Sequence, residues 1–273
     1  MWASPQATVL RSRLFAAYPR TKQMTELQQA IDNLYDVFAR YPKPTAIKFC
    51  PCGCTKPEEV VPLLAAPLRG IPSSDLMNYA FSAMTTQGSR DDFRYLLPRL
   101  FEAIVDDLDG INAEIVFGHL AYKAANWTTW PEAEIIAVRE YMMAFWKASL
   151  STYPTQNAIP TLFEIETTLC CIAKTNESLD PYLNVWTETK TIAADENLIQ
   201  FVTMYGEDFA EGQTLCFAFW EECVSQGAEL RQWILRPDTI QRVSSTAYLL
   251  REDGWEHRFQ PALEVLRNES ATY

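Results

Sequence analysis

The stretch TWPEAEIIAVREYMMAFWKASLS, residues 129–151, decides the fold class. Thr129 stands as an N-cap, Pro131 falls inside the first turn and Glu132 occupies N3, a capping-box start. Ile135, Val138, Met142, Phe145 and Ser149 then line one face at the 3.6-residue period, predicting a helix to about Ser151. The same grammar recurs on both sides. Leu27, Ile31, Leu34, Phe38 and Tyr41 form a stripe, with Thr25 and Gln28 as a capping box at its head. Ser73 or Ser74 caps a helix carrying Leu76, Tyr79, Ala80 and Ala83. Ser89-Arg-Asp-Asp92 caps another, striped by Phe93, Leu96, Leu97, Leu100, Ile104 and Leu108, in which Pro98 must kink or divide the helix.

Downstream, Asp180-Pro181 opens a short helix through Leu183 and Trp186, and Asp195 opens one with Leu198, Val202 and Tyr205. Gln213–Gln226, Glu229–Arg236, Thr239–Glu252 and His257–Asn268 complete the series. This predicts roughly eleven to thirteen helices joined by short loops, with no period-2 run bounded by turns. The expected fold is all-α, either an irregular multi-helix bundle or a HEAT-like helical array. Met24-Thr-Glu-Leu27 reads as a natural start, which makes residues 1–23 an N-terminal extension and residues 24–273 a single domain.

Composition narrows the function classes. Only 9 glycines in 273 residues argue against a glycine-rich phosphate cradle. The net charge of -12 disfavours nucleic acid and favours a basic protein partner. Its distribution is uneven: residues 1–25 hold Arg11, Arg13, Arg20 and Lys22 with no acid, whereas Glu207, Asp208 and Glu211 open an acidic run. Seven cysteines, an odd set with neither a secretory leader nor a membrane-spanning run, suggest reduced thiols in the cytoplasm.

The chemistry-bearing residues are few. Cys50-Pro-Cys-Gly-Cys54 places three thiols at alternate positions, so zinc at Cys50, Cys52 and Cys54 is one reading. A closed site needs a fourth ligand that the sequence does not visibly supply. Cys170 and Cys171 are adjacent on a helix and splay apart, and Cys216 and Cys223 read as inward-facing beside Phe219. His119 lies among aliphatic neighbours and reads as a satisfied core side chain, while His257 reads as a helix N-terminal residue near the surface. Asp106, Asp107 and Asp109 form an acidic turn at a helix C-terminus, where carboxylates oppose the macrodipole. Together with Glu207, Asp208 and Glu211 they are candidate contacts for a basic partner. Most tryptophans fall on apolar stripes, but Trp127 and Trp130 read as loop residues that anchor a partner.

Phe49-Cys-Pro-Cys, Pro67-Leu-Arg69, Asp91-Asp-Phe-Arg94 and Leu97-Pro-Arg99 resemble a group of uncharacterised bacterial helical proteins. In that group a C-P-C-C-like element precedes a DDFR..LPR tract. Here Gly53 separates Cys52 from Cys54, a departure from the pattern. Some of those relatives look like immunity proteins beside secreted bacterial toxins. The resemblance implies a helical protein and brings no agreed activity. With no catalytic constellation in the sequence, the leading reading is a binding protein without a cofactor, an immunity protein that occludes the active site of a toxin domain. The alternative is a metal- or thiol-dependent enzyme centred on Cys50–Cys54.

Overall fold

The computed structural model describes residues 22–51, 53, 56–106, 110–154, 164–210, 219–247 and 256–270. These residues form twelve α-helices. They are α1 (Lys22–Phe38), α2 (Pro57–Ala65), α3 (Ser73–Ser82), α4 (Arg90–Asp106), α5 (Ala113–Ala121) and α6 (Glu132–Ser151), followed by α7 (Ile165–Lys174), α8 (Asp180–Glu188), α9 (Ile192–Ala210), α10 (Val224–Ile234), α11 (Pro237–Thr246) and α12 (Glu256–Ser270). Two short 3-10 turns, Leu68–Gly70 and Trp127–Thr129, lie between them. Among the described residues there is no strand, only isolated bridges that join Phe49 and Ala83 to Gln87. The fold is all-α, as the hydrophobic periodicity predicts.

The stripes read from the sequence point inward. Leu27, Ile31, Leu34 and Phe38 of α1 are buried, as are Val138, Met142, Phe145 and Ser149 of α6. Ser89 and Asp92 form the reciprocal cap of α4: the Asp92 amide donates to Ser89 Oγ at 3.2 Å, and the Ser89 amide donates to Asp92 Oδ2 at 2.7 Å. Pro98 does not divide α4, which runs unbroken through it.

Several starts differ from expectation. Pro72 stands at the cap position of α3, with no side-chain cap bond, and Ser73 is already its first helical residue. Helix α1 begins at Lys22, ahead of Thr25, so Thr25 is not its cap. Thr129 sits in a 3-10 turn with its hydroxyl donating to the Asn126 carbonyl, and α6 begins three residues later. The cap of α9 is Thr191, whose Oγ1 accepts from the Ala194 amide at 3.3 Å. Asp195 is drawn instead to Arg242. One helix, Val224–Ile234, replaces the predicted break near Glu229, and residues 213–218 and 248–252 of the expected helices lie outside the described residues.

Contacts remote in sequence set the architecture. Helices α1 and α6 run antiparallel, because Glu26 meets Lys147 while Asn33 meets Glu140. Helices α4 and α6 run parallel, with Arg94 beside Glu134 and the Tyr141 hydroxyl donating to the Phe101 carbonyl at 2.9 Å. Pairing of helices so far apart in the chain favours an irregular bundle, since stacked repeats contact only their neighbours. Helix α12 packs on α9 at Gly206, where a Cβ would lie 3.1 Å from the Ala262 methyl.

One core, from Leu27 to Leu266, joins all these elements. The Phe101 ring stacks on Tyr141 at 4.3 Å, and Trp186 links Trp146 at 5.4 Å to Trp233 at 4.9 Å. Each fully buried aromatic contributes about 2–3 kcal/mol by removal from water. Arg242 closes the C-terminal half: its guanidinium donates to Asp195 Oδ1 (2.7 Å) and to the carbonyls of Trp186 (2.7 Å) and Thr189 (2.6 Å). A cation there satisfies carbonyls at the end of α8 that lack intrahelical donors.

The most demanding element is Glu134, whose side chain is 0% exposed. It accepts from the Tyr41 hydroxyl at 2.7 Å and lies 3.6 Å from Arg94 Nε and 3.5 Å from Arg40. Burial and this bond push the Tyr41 phenol up to about 12. Removing one member of a buried pair strands the other, so Arg94→Ala is expected to cost about 3–5 kcal/mol. Tyr41→Phe, which removes one bond to a charged acceptor, is expected to cost about 1.5–3 kcal/mol. Urea unfolding at neutral pH measures both, and the double replacement Arg94→Met/Glu134→Leu should recover much of the loss.

Candidate protein-binding surface

The acidic turn expected at the end of α4 is represented by Asp106, since Asp107 and Asp109 lie outside the described residues. Asp106 is the exposed end of a charge network that reaches inward. Arg99 Nη1 lies 3.4 Å from Asp106 Oδ2 and 3.2 Å from Glu102 Oε2, while its Nε donates to the Ile71 carbonyl at 2.8 Å. Glu102 also accepts from the Tyr35 hydroxyl at 2.6 Å and from Arg69 Nε at 2.8 Å. Arg69 reaches on to Asp32 at 2.6 Å and lies over the Tyr35 ring at 4.5 Å. Burial, then the Glu102 carboxylate, raises Asp106 above the usual carboxylate range, and Arg99 opposes this. The network fixes α1 and the Leu68–Gly70 turn against α4, and it holds Asp32 and Asp106 at the surface.

Asp36 lies on the same outer face of α1, one turn beyond Asp32, and is exposed. On the opposite side of α1, exposed Glu140 of α6 accepts from Asn33 at 2.8 Å. The outer side of α1 thus has exposed carboxylates on both flanks, of which Asp32 is paired with Arg69. Asp32, Asp36 and Glu140 were not among the sequence candidates. The available signal was the i, i+4 spacing of Asp32 and Asp36 opposite the apolar stripe of α1.

Glu207 is exposed and Asp208 half-buried near the end of α9. Neither enters the Asp106 network, and Glu211 lies outside the described residues. Trp127 and Trp130 correct the expectation of surface anchors: they are 1% and 4% exposed. Trp127 Nε1 donates to the Thr175 carbonyl at 3.0 Å and Trp130 Nε1 to the Ala125 carbonyl at 2.8 Å. Asn126, in the left-handed conformation at φ 44°, begins the turn that carries Trp127, and the loop folds into the core. Arg94 lies 4.5 Å over the Trp130 ring, so this indole supports the Glu134 ion pair and offers no surface to a partner.

Cys50 is half-buried, and its amide donates to the Thr86 carbonyl at 2.8 Å, while Cys52 and Cys54 lie outside the described residues. This tie rests on a tight turn: Gly88 has φ 72°, and a Cβ there would meet the Tyr79 ring at 3.1 Å. His119 is fully buried, with Nε2 2.6 Å from the Ala80 carbonyl, and burial lowers its basicity. The side chain of His257 lies outside the described ones. Cys170, Cys171 and Cys223 are buried, and burial pushes all three thiols up, away from the reactive thiolate. Cys216 lies outside the described residues. Among the described residues, no group of three or more His, Cys, Asp or Glu side chains is placed to hold a metal ion, and no helix is long and apolar enough to cross a membrane.

Comparisons with protein-family models, with curated proteins and with solved structures give no match to this chain.

A second carboxylate escaped the sequence reading. Glu166 of α7 accepts from Trp220 Nε1 at 2.6 Å, and burial, reinforced by Glu114 and Glu164, raises it to about 7. A carboxyl raised in the folded state binds its proton more readily there than in the unfolded chain. Stability therefore falls as pH rises from about 4.5 through about 7. Glu166→Gln keeps an acceptor for the indole and removes the charge. We expect it to stabilise the protein by on the order of 2 kcal/mol at pH 8 and by little at pH 5. The difference between variant and parent in urea unfolding at the two pH values measures this, and an equal effect at both would refute it.

Proposed function

We propose that this protein is a binding protein that occludes a basic partner inside the cell, most concretely an immunity protein that neutralises a bacterial toxin. The observation that carries the reading is the set of exposed carboxylates on α1 and its flanks: Asp36 and Glu140, with Asp32 and Asp106 held in place by Arg69 and Arg99, on helices fixed by the buried pairs Arg94–Glu134 and Arg99–Glu102. Carboxylates held on a rigid scaffold are arranged before binding, so less ordering accompanies association. Such a face speeds encounter with a cationic cleft and rejects acidic partners. Domains that attack nucleic acid carry clefts of this kind, because they must attract phosphate. The net charge of -12 and the resemblance of the Phe49–Arg99 tract to relatives of immunity type point the same way.

The decisive experiment is co-expression with the product of the adjacent gene. Growth arrest by that product alone, rescue by this chain and co-purification of the two are the expected results. Absence of both rescue and complex formation would overturn the reading. Reversal of Asp32 and Asp36 to lysine is expected to slow association about 3–10-fold at low salt, with the penalty shrinking as salt screens it. Unchanged association kinetics would remove the acidic face from the argument.

A further inference from the structure

The outer junction of α1 and α6 is a trough of about 350 Å³, lined by Glu26, Gln29, Ala30, Asn33, Glu140, Met143, Ala144 and Lys147. Two polar crossbars span it. Asn33 donates to Glu140 at 2.8 Å, and Lys147 lies 3.6 Å from Glu26. On each helix the crossbar residues are seven positions apart, about 10 Å along the axis. Between them the floor consists of buried Ala30 and Ala144 with half-buried Met143. Ile136, 46% exposed, extends the α6 side of this strip one turn past Glu140.

We propose that this trough seats a basic amphipathic helix of the partner, with a large apolar side chain inserted between the crossbars. Three physical features select that occupant. Alanines on both helices let a third backbone approach, and the gap between the crossbars leaves room for an apolar side chain. Met143 adapts to the side chain that enters. The backbones of α1 and α6 are internally hydrogen-bonded, so the trough offers no edge to an extended strand. Charge sets the sign: of the charged side chains that line the trough, Glu26 and Glu140 outnumber Lys147, which is itself paired with Glu26, and exposed Asp36 follows Asn33 on the outer side of α1. Lysines or arginines flanking the apolar stripe meet these carboxylates. The partner's identity as a toxin rests on the reading above, whereas the seat and the chemistry of its occupant do not.

The test uses the full chain and a fluorescein-labelled synthetic helix of about five turns, with a leucine stripe flanked by lysines. Its counterpart carries glutamate at every lysine. The basic peptide is expected to bind at least about tenfold tighter than the acidic one at low salt, as fluorescence anisotropy reads it. Glu140→Lys and Ala144→Arg should each weaken binding by about tenfold or more, and Glu58→Lys on α2 should not. Bound peptide should also slow oxidation of Met143 by peroxide. Helical circular dichroism checks that Ala144→Arg folds, and Glu140→Lys, at an exposed position, decides the matter if it does not. No binding, equal binding of both peptides, or binding indifferent to Glu140→Lys would overturn the assignment. If the adjacent gene's product binds undiminished to both trough variants, the trough falls and the immunity reading stands. If the basic peptide needs the trough but that product does not bind, the trough stands and the immunity reading falls.

Discussion

The arrangement of the N-terminal half depends on the removal of the Glu134 carboxylate from water. A bare carboxylate in that position would cost several kcal/mol. Three helical segments supply what offsets it: the Tyr41 hydroxyl just after α1, the Arg94 guanidinium of α4, and the N-terminal end of α6 on which Glu134 itself lies. Arg94 is in turn fixed between the Trp130 and Tyr41 rings, at 4.5 and 5.4 Å. Because Arg94 and Tyr41 both reach the one Glu134 carboxylate, the end of α1 and the starts of α4 and α6 converge in one register. Slippage of any one of them would leave a buried charge without its counterpart.

A second network repeats this logic one or two turns away. Glu102 gathers Tyr35, Arg69 and buried Arg99, and Arg69, Asp32 and Asp106 form the exposed part of the network. The buried part sets how α1 sits on α4, and the exposed part orients carboxylates toward solvent. The outer face of α1 is thus rigid for the same reason that the core is specific. On its other side, the crossbars with α6 leave small residues between them and create the trough.

Burial also sets the state of His119 and of the thiols Cys170, Cys171 and Cys223. His119 is committed to a backbone carbonyl, and Cys170, Cys171 and Cys223 lie where ionisation is unfavourable. Glu166, raised to about 7, titrates near physiological pH, yet it faces an indole and other carboxylates rather than a nucleophile poised by a base.

By itself the sequence determined the helical class, the inward stripes of α1, α4 and α6, the capped start of α4, and the excess of negative charge. Those features follow from local periodicity, from short-range hydrogen bonding and from counting. Only the tertiary structure decided which polar residues belong to the interior. Phe93 to Val105 is an unbroken buried run that includes Arg94, Arg99 and Glu102. Charges embedded in such a tract were a legible sign of internal ion pairs, but their partners lie as far away as Tyr35, Arg69 and Glu134. Trp127 and Trp130 illustrate the same limit. Their loop context suggested exposure, and a left-handed turn at Asn126 combined with carbonyls of Thr175 and Ala125 drew them inside. The α1–α6 trough exists only because helices more than ninety residues apart in the chain lie antiparallel. A one-dimensional pattern records which face of a helix is apolar. Which helix covers that face is settled by packing and by the pairing of buried charges across the whole chain.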